Sequence, residues 1–392
     1  MKTVPVMKRR DLLAITAMLA AATSLRSAEA GQVSDAAIER SQLSPGDPAR
    51  FKRVFARAER GETIRLGFIG GSITAGAIAT APANSYAARV SDWWRKTFPK
   101  ARIETVNAAV GGTGSLYGSL RVGQDFLSRD LDAVIIEFSV NDAWTDQEPF
   151  ESLVRHVLAS SPDIAVMLLF MVYDQGGNEQ DWQQKIGAHY KLPMVSYRDA
   201  VWPELQSGRM KAADIFVDIV HPNDAGHRIT ADLVTTQLDR LRKAQAGDAS
   251  DADLPPPLYG DRFQNARWIG ASKLKPKSSN GWTLTRTDDP PPHSLGPDIW
   301  LSEPGVETTL SLAWEGTGLV VVMMLDNGDT NPVTLEIDGK PAQVITTETQ
   351  PRRNVVTVAL DLPKGAHSFS ISRKLGIDAR PPFGLYGIGI VP

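Results

Sequence analysis

Four short segments hold side chains and backbone able to do chemistry together. In "LGFIGGSITAG" (66–76) an apolar run stops at Gly70-Gly71, and the hydroxyl of Ser72 follows at once. "NAAVGGTGS" (107–115) exposes glycine backbone N–H groups to close approach by a ligand. Asn141, in "EFSVNDAW", can project a hydrogen-bonding amide from the end of a strand. In "DIVHPNDAGH" (218–227) Asp218 lies three residues before His221, a spacing that lets a carboxylate grip one imidazole nitrogen while the other stays available, and Pro222 stiffens the chain just beyond. A hydroxyl, an imidazole with its carboxylate and a set of N–H donors are the components of a nucleophilic site. Each segment alone also has a plainer reading: a strand-to-helix turn, a loop needing positive φ, an Asx-turn, a structural histidine.

Other chemistries fit less well. Gly71 to Gly76 has the glycine spacing of a phosphate-binding loop, but Ala77 stands where its lysine belongs. The dinucleotide pattern GxGxxG is absent, and Thr74 replaces the second glycine of a GxSxG elbow. His156, His189, His221 and His227 show no HxH or HxxxH spacing, so no metal is expected, and the chain has no cysteine.

The elements that must position these segments alternate. "IRLGFIG" (64–70), "RIETVNA" (102–108), "DAVIIEFSV" (132–140), "DIAVMLLFM" (163–171) and "PMVSY" (193–197) read as strands. Amphipathic stretches such as 85–98 and 223–244 read as helices between and after them. Continuous apolar strands separated by helices predict an α/β domain over 62–245: a five-stranded parallel sheet in a three-layer α/β/α sandwich. In such a sheet, ligands gather at the carboxyl ends of the strands, where the first three segments fall. A lead-in segment, 31–61, precedes this domain. The small, acidic, proline-rich stretch 246–260 reads as a linker. From 261 to 392, short apolar or alternating runs are broken by turns such as "DNGD" (326–329) and "IDGK" (337–340), which predicts an antiparallel β-sandwich or jelly roll.

Taken together and in order, "GGSIT", "GGTGS", "VND" and "DxxHP" resemble the blocks of the SGNH (GDSL-type) hydrolase superfamily, over about residues 62–245. The chain departs from the usual first block: Gly71 replaces the aspartate of "GDS" and Ile73 the leucine, as in a "GGSIT" subgroup. The resemblance implies a flavodoxin-like fold and a serine esterase without cofactor. Ser72 would be the nucleophile, His221 the base and Asp218 its orienting carboxylate. The N–H groups of Ser72 and Gly112 and the amide of Asn141 would form the oxyanion hole. Trp144, just past Asn141, is either a stacking platform for a sugar ring or a packing residue. The segments "VTLEIDGK" and "LPKGAHSF" resemble jelly-roll modules that accompany carbohydrate esterases, with or without a sugar site of their own. The implied activity is removal of O-acetyl groups from a polysaccharide. A lipase, arylesterase or thioesterase, an acyltransferase of envelope polysaccharide and a non-catalytic glycan-binding protein are the alternatives.

Bulk composition agrees. Of 392 residues, 42% are hydrophobic and 22% charged, with a net charge of -3, so nucleic acid is not an expected partner. Lys8, Arg9 and Arg10 precede the apolar stretch "LLAITAMLAAATSL", and Ala28-Glu29-Ala30 follows: residues 1–30 read as a Sec or twin-arginine signal peptide. A periplasmic or secreted protein without stable membrane insertion is expected. Nothing in the sequence sets an oligomeric state.

Overall fold

The computed structural model describes residues 33–143, 145–245, 254–287, 295–324, 332–345, 353–373 and 383–392. The expected signal peptide, Trp144 and the "DNGD" turn lie outside the described residues. Among those described, no helix is long and apolar enough to cross a membrane.

The first sheet has six strands: β1 (Gln42–Ser44), β2 (Thr63–Gly70), β3 (Arg102–Asn107), β4 (Ala133–Glu137), β5 (Ala165–Phe170) and β6 (Met194–Ser196), in the order β1-β6-β5-β4-β2-β3. The five expected strands, β2 to β6, pair in parallel. The sixth, β1, lies antiparallel against β6 and belongs to the lead-in segment. At three residues it is too short to show the alternation by which a strand is read.

The apolar runs are continuous because both faces are covered. Ala133 and Ile135 of β4, with Ala165, Met167 and Leu169 of β5, face helices Ala49–Glu59, Tyr86–Thr97 and Asp224–Lys243. Val134 and Ile136, with Val166, Leu168 and Phe170, face helices Gln147–Ser160 and Gln180–His189. Successive side chains thus enter opposite cores, the period-2 rule with two apolar partners. The run at 132–140 is longer than its strand. β4 ends at Glu137, and the N–H groups of Asn141 and Asp142 turn back onto the Phe138 carbonyl at 2.9 and 3.1 Å. Phe138 and Val140 remain buried, so the apolar pattern outlasts the ladder.

The second half holds β7 (Arg267–Gly270), β8 (Ser278–Asn280), β9 (Trp282–Arg286), β10 (Asp298–Ser302), β11 (Thr308–Gly316), β12 (Gly318–Met324), β13 (Val333–Ile337), β14 (Lys340–Ile345), β15 (Arg353–Ala359), β16 (Gly365–Arg373) and β17 (Gly384–Val391). One antiparallel sheet runs β15-β12-β17-β10-β9, with β7 also on β17; the other runs β14-β13-β16-β11-β8. Asp338 (φ 51°) and Gly339 (φ 72°) form the two-residue turn between β13 and β14, the positive-φ pair that a tight hairpin needs. Leu310, Leu312, Trp314, Leu319, Val321, Met323, Phe369 and Ile371 fill the space between the sheets.

The two halves share a fourth apolar cluster. Val320 and Val322, on the outer face of β12, pack with Tyr117, Leu120, Phe263 and Trp268. Gly389 of β17 makes room for this contact, since a Cβ there would lie 2.5 Å from Leu120 Cδ1. Of the expected linker, 246–253 lie outside the described residues; its end is docked on helix Gln147–Ser160. The buried Glu151 carboxylate accepts the N–H groups of Leu258, Tyr259 and Gly260 at 2.6, 2.5 and 3.0 Å. One turn earlier, Glu148 pairs with Arg262 at 2.6 Å. One turn later, Arg155 donates to the Pro255 carbonyl at 2.6 Å and to Gln264 at 2.9 Å. Glu151→Ala strands three N–H groups and is expected to lower the unfolding free energy by about 3 kcal/mol, with Glu151→Gln losing less, as read by urea denaturation.

Candidate active site

The carboxyl end of β2 leads straight into the site. Gly71 caps the short helix Ser72–Ala75, which Gly76 ends in the left-handed conformation (φ 85°). Both glycines before Ser72 are there for close approach. A Cβ on Gly70 would lie 2.4 Å from Thr74 Oγ1 and 2.5 Å from the Glu137 carbonyl. A Cβ on Gly71 would lie 2.2 Å from Asn141 Oδ1. Such distances are far below van der Waals contact, so no side chain fits at either position without displacing its neighbour.

His221 and Asp218 stand on a loop pinched at its base. Phe216 and Pro222 form an isolated antiparallel bridge, and the Val217 N–H donates to the His221 carbonyl at 2.9 Å. Asn223 then caps helix Asp224–Lys243 by accepting the N–H groups of Ala225 and Gly226 at 2.9 and 3.0 Å. Inside the loop, Asp218 Oδ1 accepts the N–H groups of Val220 and His221 at 2.9 and 2.7 Å. Its Oδ2 lies 2.8 Å from His221 Nδ1. On the other side of the ring, His221 Nε2 lies 2.8 Å from Ser72 Oγ. Partial burial opposes the Asp218 carboxylate, but the His221 and Val220 donors outweigh it and hold its pKa below the usual range. A carboxylate bound this way fixes the imidazole so that Nε2 can take a proton from the hydroxyl.

Gly112 and Asn141 come from two further strand ends. After β3, the N–H groups of Ala108 and Val110 hold the glycine loop to the Phe68 and Gly70 carbonyls at 2.8 and 3.1 Å. Gly112 adopts φ 69°, a conformation that favours glycine. After β4, Asn141 lies against Gly71, its Oδ1 buried and without a hydrogen-bond partner among the described residues. Ser72, Gly112, Asn141, Asp218 and His221 thus stand on the loops at the carboxyl edge of the sheet and before the last helix. Trp144 is outside the described residues.

Several residues that support the site escape a reading by motif. Beneath Ser72, Thr74 Oγ1 lies 2.8 Å from Tyr86 Oη and 3.2 Å from Glu137 Oε2, and the Thr74 carbonyl accepts Asn107 Nδ2 at 2.7 Å. Burial pushes the Glu137 carboxyl up to about 7, against the hydrogen bonds from Thr74 and Ser139. The one sequence signal is an acidic residue at the end of an otherwise apolar strand, "VIIEF". The loop after Ser72 is held to the histidine side by Asp224, which accepts Thr80 N at 3.0 Å and Asn84 Nδ2 at 2.8 Å. This loop carries Ile78 at φ 66°, and Val217 and Ile219 flank Asp218; all three are exposed.

Residues 68–229 match the model of the GDSL-like Lipase/Acylhydrolase family. Two solved structures are similar over nearly the whole chain. One is a crystal structure of a two-domain esterase (CEX) active on acetylated mannans; it is 29% identical, covers 92% of this chain and 98% of that one, and has a TM-score of 0.81. The other is that esterase co-crystallized with mannopentaose, at 29% identity, the same coverage and a TM-score of 0.80. No curated protein matches the chain.

Gly71→Ala forces Asn141 and Ser72 apart. It is expected to lower kcat for ester hydrolysis by about a hundredfold while the far-ultraviolet circular dichroism stays unchanged.

Proposed function

We propose that this protein is an exported serine esterase that removes O-acetyl groups from a polysaccharide, a reading supported by the match of residues 68–229 to the GDSL-like lipase/acylhydrolase family model and by the likeness to a two-domain esterase. The observation that carries the reading is the unbroken hydrogen-bond chain from Asp218 through His221 to Ser72, at 2.8 Å on each side of the ring.

In the first half-reaction, His221 Nε2 takes the Ser72 proton as Oγ attacks the acetyl carbonyl. The negative charge that forms on the carbonyl oxygen meets the N–H groups of Ser72 and Gly112 and the Asn141 amide. Asp218 stabilises the imidazolium. Collapse of the tetrahedral intermediate breaks the ester C–O bond. The sugar oxygen leaves with the proton from His221, and the acetyl group stays on Ser72. Water then repeats the sequence: His221 takes its proton, its oxygen attacks the acetyl-serine, and acetate departs as Ser72 Oγ recovers the proton.

The substrate class rests on the whole-length likeness to the two-domain esterase, described as active on acetylated mannans. Acetylated mannan is therefore the first polymer to test. Export rests on the basic stretch 8–10, the apolar run after it and Ala28-Glu29-Ala30.

Ser72→Ala is expected to abolish turnover of p-nitrophenyl acetate with circular dichroism unchanged; wild-type turnover in that variant overturns the nucleophile. Asn141→Ala is expected to lower kcat by about 10²- to 10³-fold with little change in KM, as for an oxyanion donor; a change confined to KM makes Asn141 a binding residue instead. Acetate release across acetylated mannan, xylan and pectin, together with p-nitrophenyl esters of increasing chain length, is expected to show preference for acetyl esters of a polysaccharide. A maximum at eight carbons or more contradicts that.

A further inference from the structure

Two of the three oxyanion donors proposed above come from different strands. Asn141 follows β4, and Gly112 belongs to the loop after β3; both must aim at one oxygen atom. The residue that ties the two loops together is Asp142, one peptide bond beyond Asn141 and 1% exposed. Its Oδ1 accepts the N–H of Ser115 at 2.7 Å, and its Oδ2 accepts Gln183 Nε2 at 2.9 Å.

Ser115 begins the helix Ser115–Arg121, three residues after Gly112. The cap position of that helix is Gly114, which has no side chain to satisfy the first N–H groups. Asp142 supplies the missing acceptor from across the site. Gly114 in turn makes room for it: a Cβ there would lie 2.7 Å from Asp142 Oδ1 and 3.1 Å from the Asn141 carbonyl. On its other side, Gln183 is fully buried on helix Gln180–His189, and its Oε1 has no hydrogen-bond partner among the described residues. The carboxylate is thus a three-way joint between the Asn141 turn, the glycine loop and a helix that covers one face of the sheet.

We propose that Asp142 is a positioning residue of the esterase: by bonding Ser115 N–H while anchored on Gln183, it sets the distance between the Asn141 amide and the Gly112 N–H. The proposal rests on the serine-esterase reading. Burial pushes the Asp142 carboxyl up to about 7, against the Ser115 and Gln183 donors, so a neutral group at this position costs little. An amide of the same shape therefore serves. In Asp142→Asn, Oδ1 still accepts from Ser115, and Nδ2 donates to Gln183 Oε1 once the glutamine amide turns over.

The test compares Asp142→Ala, Asp142→Asn and Gln183→Leu on p-nitrophenyl acetate in the full-length protein, with benzeneboronic acid as a tetrahedral probe of Ser72. Asp142→Ala is expected to lose about a hundredfold in kcat with KM within about twofold, the signature of displaced oxyanion donors. Boronate affinity falls with it. Asp142→Asn is expected to restore kcat to within about threefold of wild type, and Gln183→Leu to lose about tenfold. Should Asp142→Ala not fold, the Gln183→Leu and Asp142→Asn pair still decides. The proposal is overturned if Asp142→Ala keeps kcat within about threefold, if Asp142→Asn is as impaired as Asp142→Ala, or if Gln183→Leu lowers only the melting temperature. Failure of the esterase reading itself looks different: the wild type hydrolyses no ester, or Ser72→Ala stays active.

Discussion

Asn141 lies against the turn before Ser72 in space left by the missing Cβ of Gly71. The Asn141 amide occupies the space that any side chain on Gly71 would need, at a distance of 2.2 Å. Gly70 has the same role at the preceding position, where Thr74 and the end of β4 close in. The strand-to-helix turn is thus defined by contact with the neighbouring strand as much as by its own backbone.

Around that contact the chain uses buried carboxylates as joints. Glu137 lies under the Ser72 turn with Thr74 and Ser139; Asp142 spans Ser115 and Gln183; Glu151 holds the N–H groups of Leu258, Tyr259 and Gly260. Each is fully or almost fully buried, and each is met by at least two donors. A buried carboxylate without donors is strongly destabilising, so the geometry of such a joint is tightly specified. All three bond to backbone or side chains of other loops and helices, so the loops at the edge of the sheet and the start of the β-half are held by polar bonds as well as by packing.

The β-half is joined to the same framework. Helix Ser115–Arg121, which follows the glycine loop, carries Tyr117 and Leu120 into the apolar cluster with Trp268, Val320 and Val322. The Tyr117 hydroxyl donates to the Leu295 carbonyl at 2.8 Å. The face of β12 turned outward from the sandwich is therefore covered, which is why "GLVVVMM" reads as a continuous apolar run while strand β11 alternates.

By itself the sequence determined the kind of the main elements of the first half, β2 to β6 and the helices between and after them, and the kinds of residue at the strand ends. A strand buried on both faces must be apolar throughout, and one buried on a single face must alternate; these are local constraints, readable over about five to nine residues. The pairing of Asp218 with His221 was legible for the same reason, since three residues of chain keep the two groups within reach. The tertiary structure alone decided what no local pattern encodes: that the lead-in adds β1 to the sheet, that the end of the linker is docked on Glu148, Glu151 and Arg155, and that Asp142 reaches Ser115 and Gln183. It also decided that the cover on β12 is helix Ser115–Arg121. These contacts join residues far apart in the chain, 27 positions for Asp142 and Ser115 and 107 for Glu151 and Leu258. A periodicity shows that a face is buried, but the identity of its partner depends on how the whole chain closes on itself.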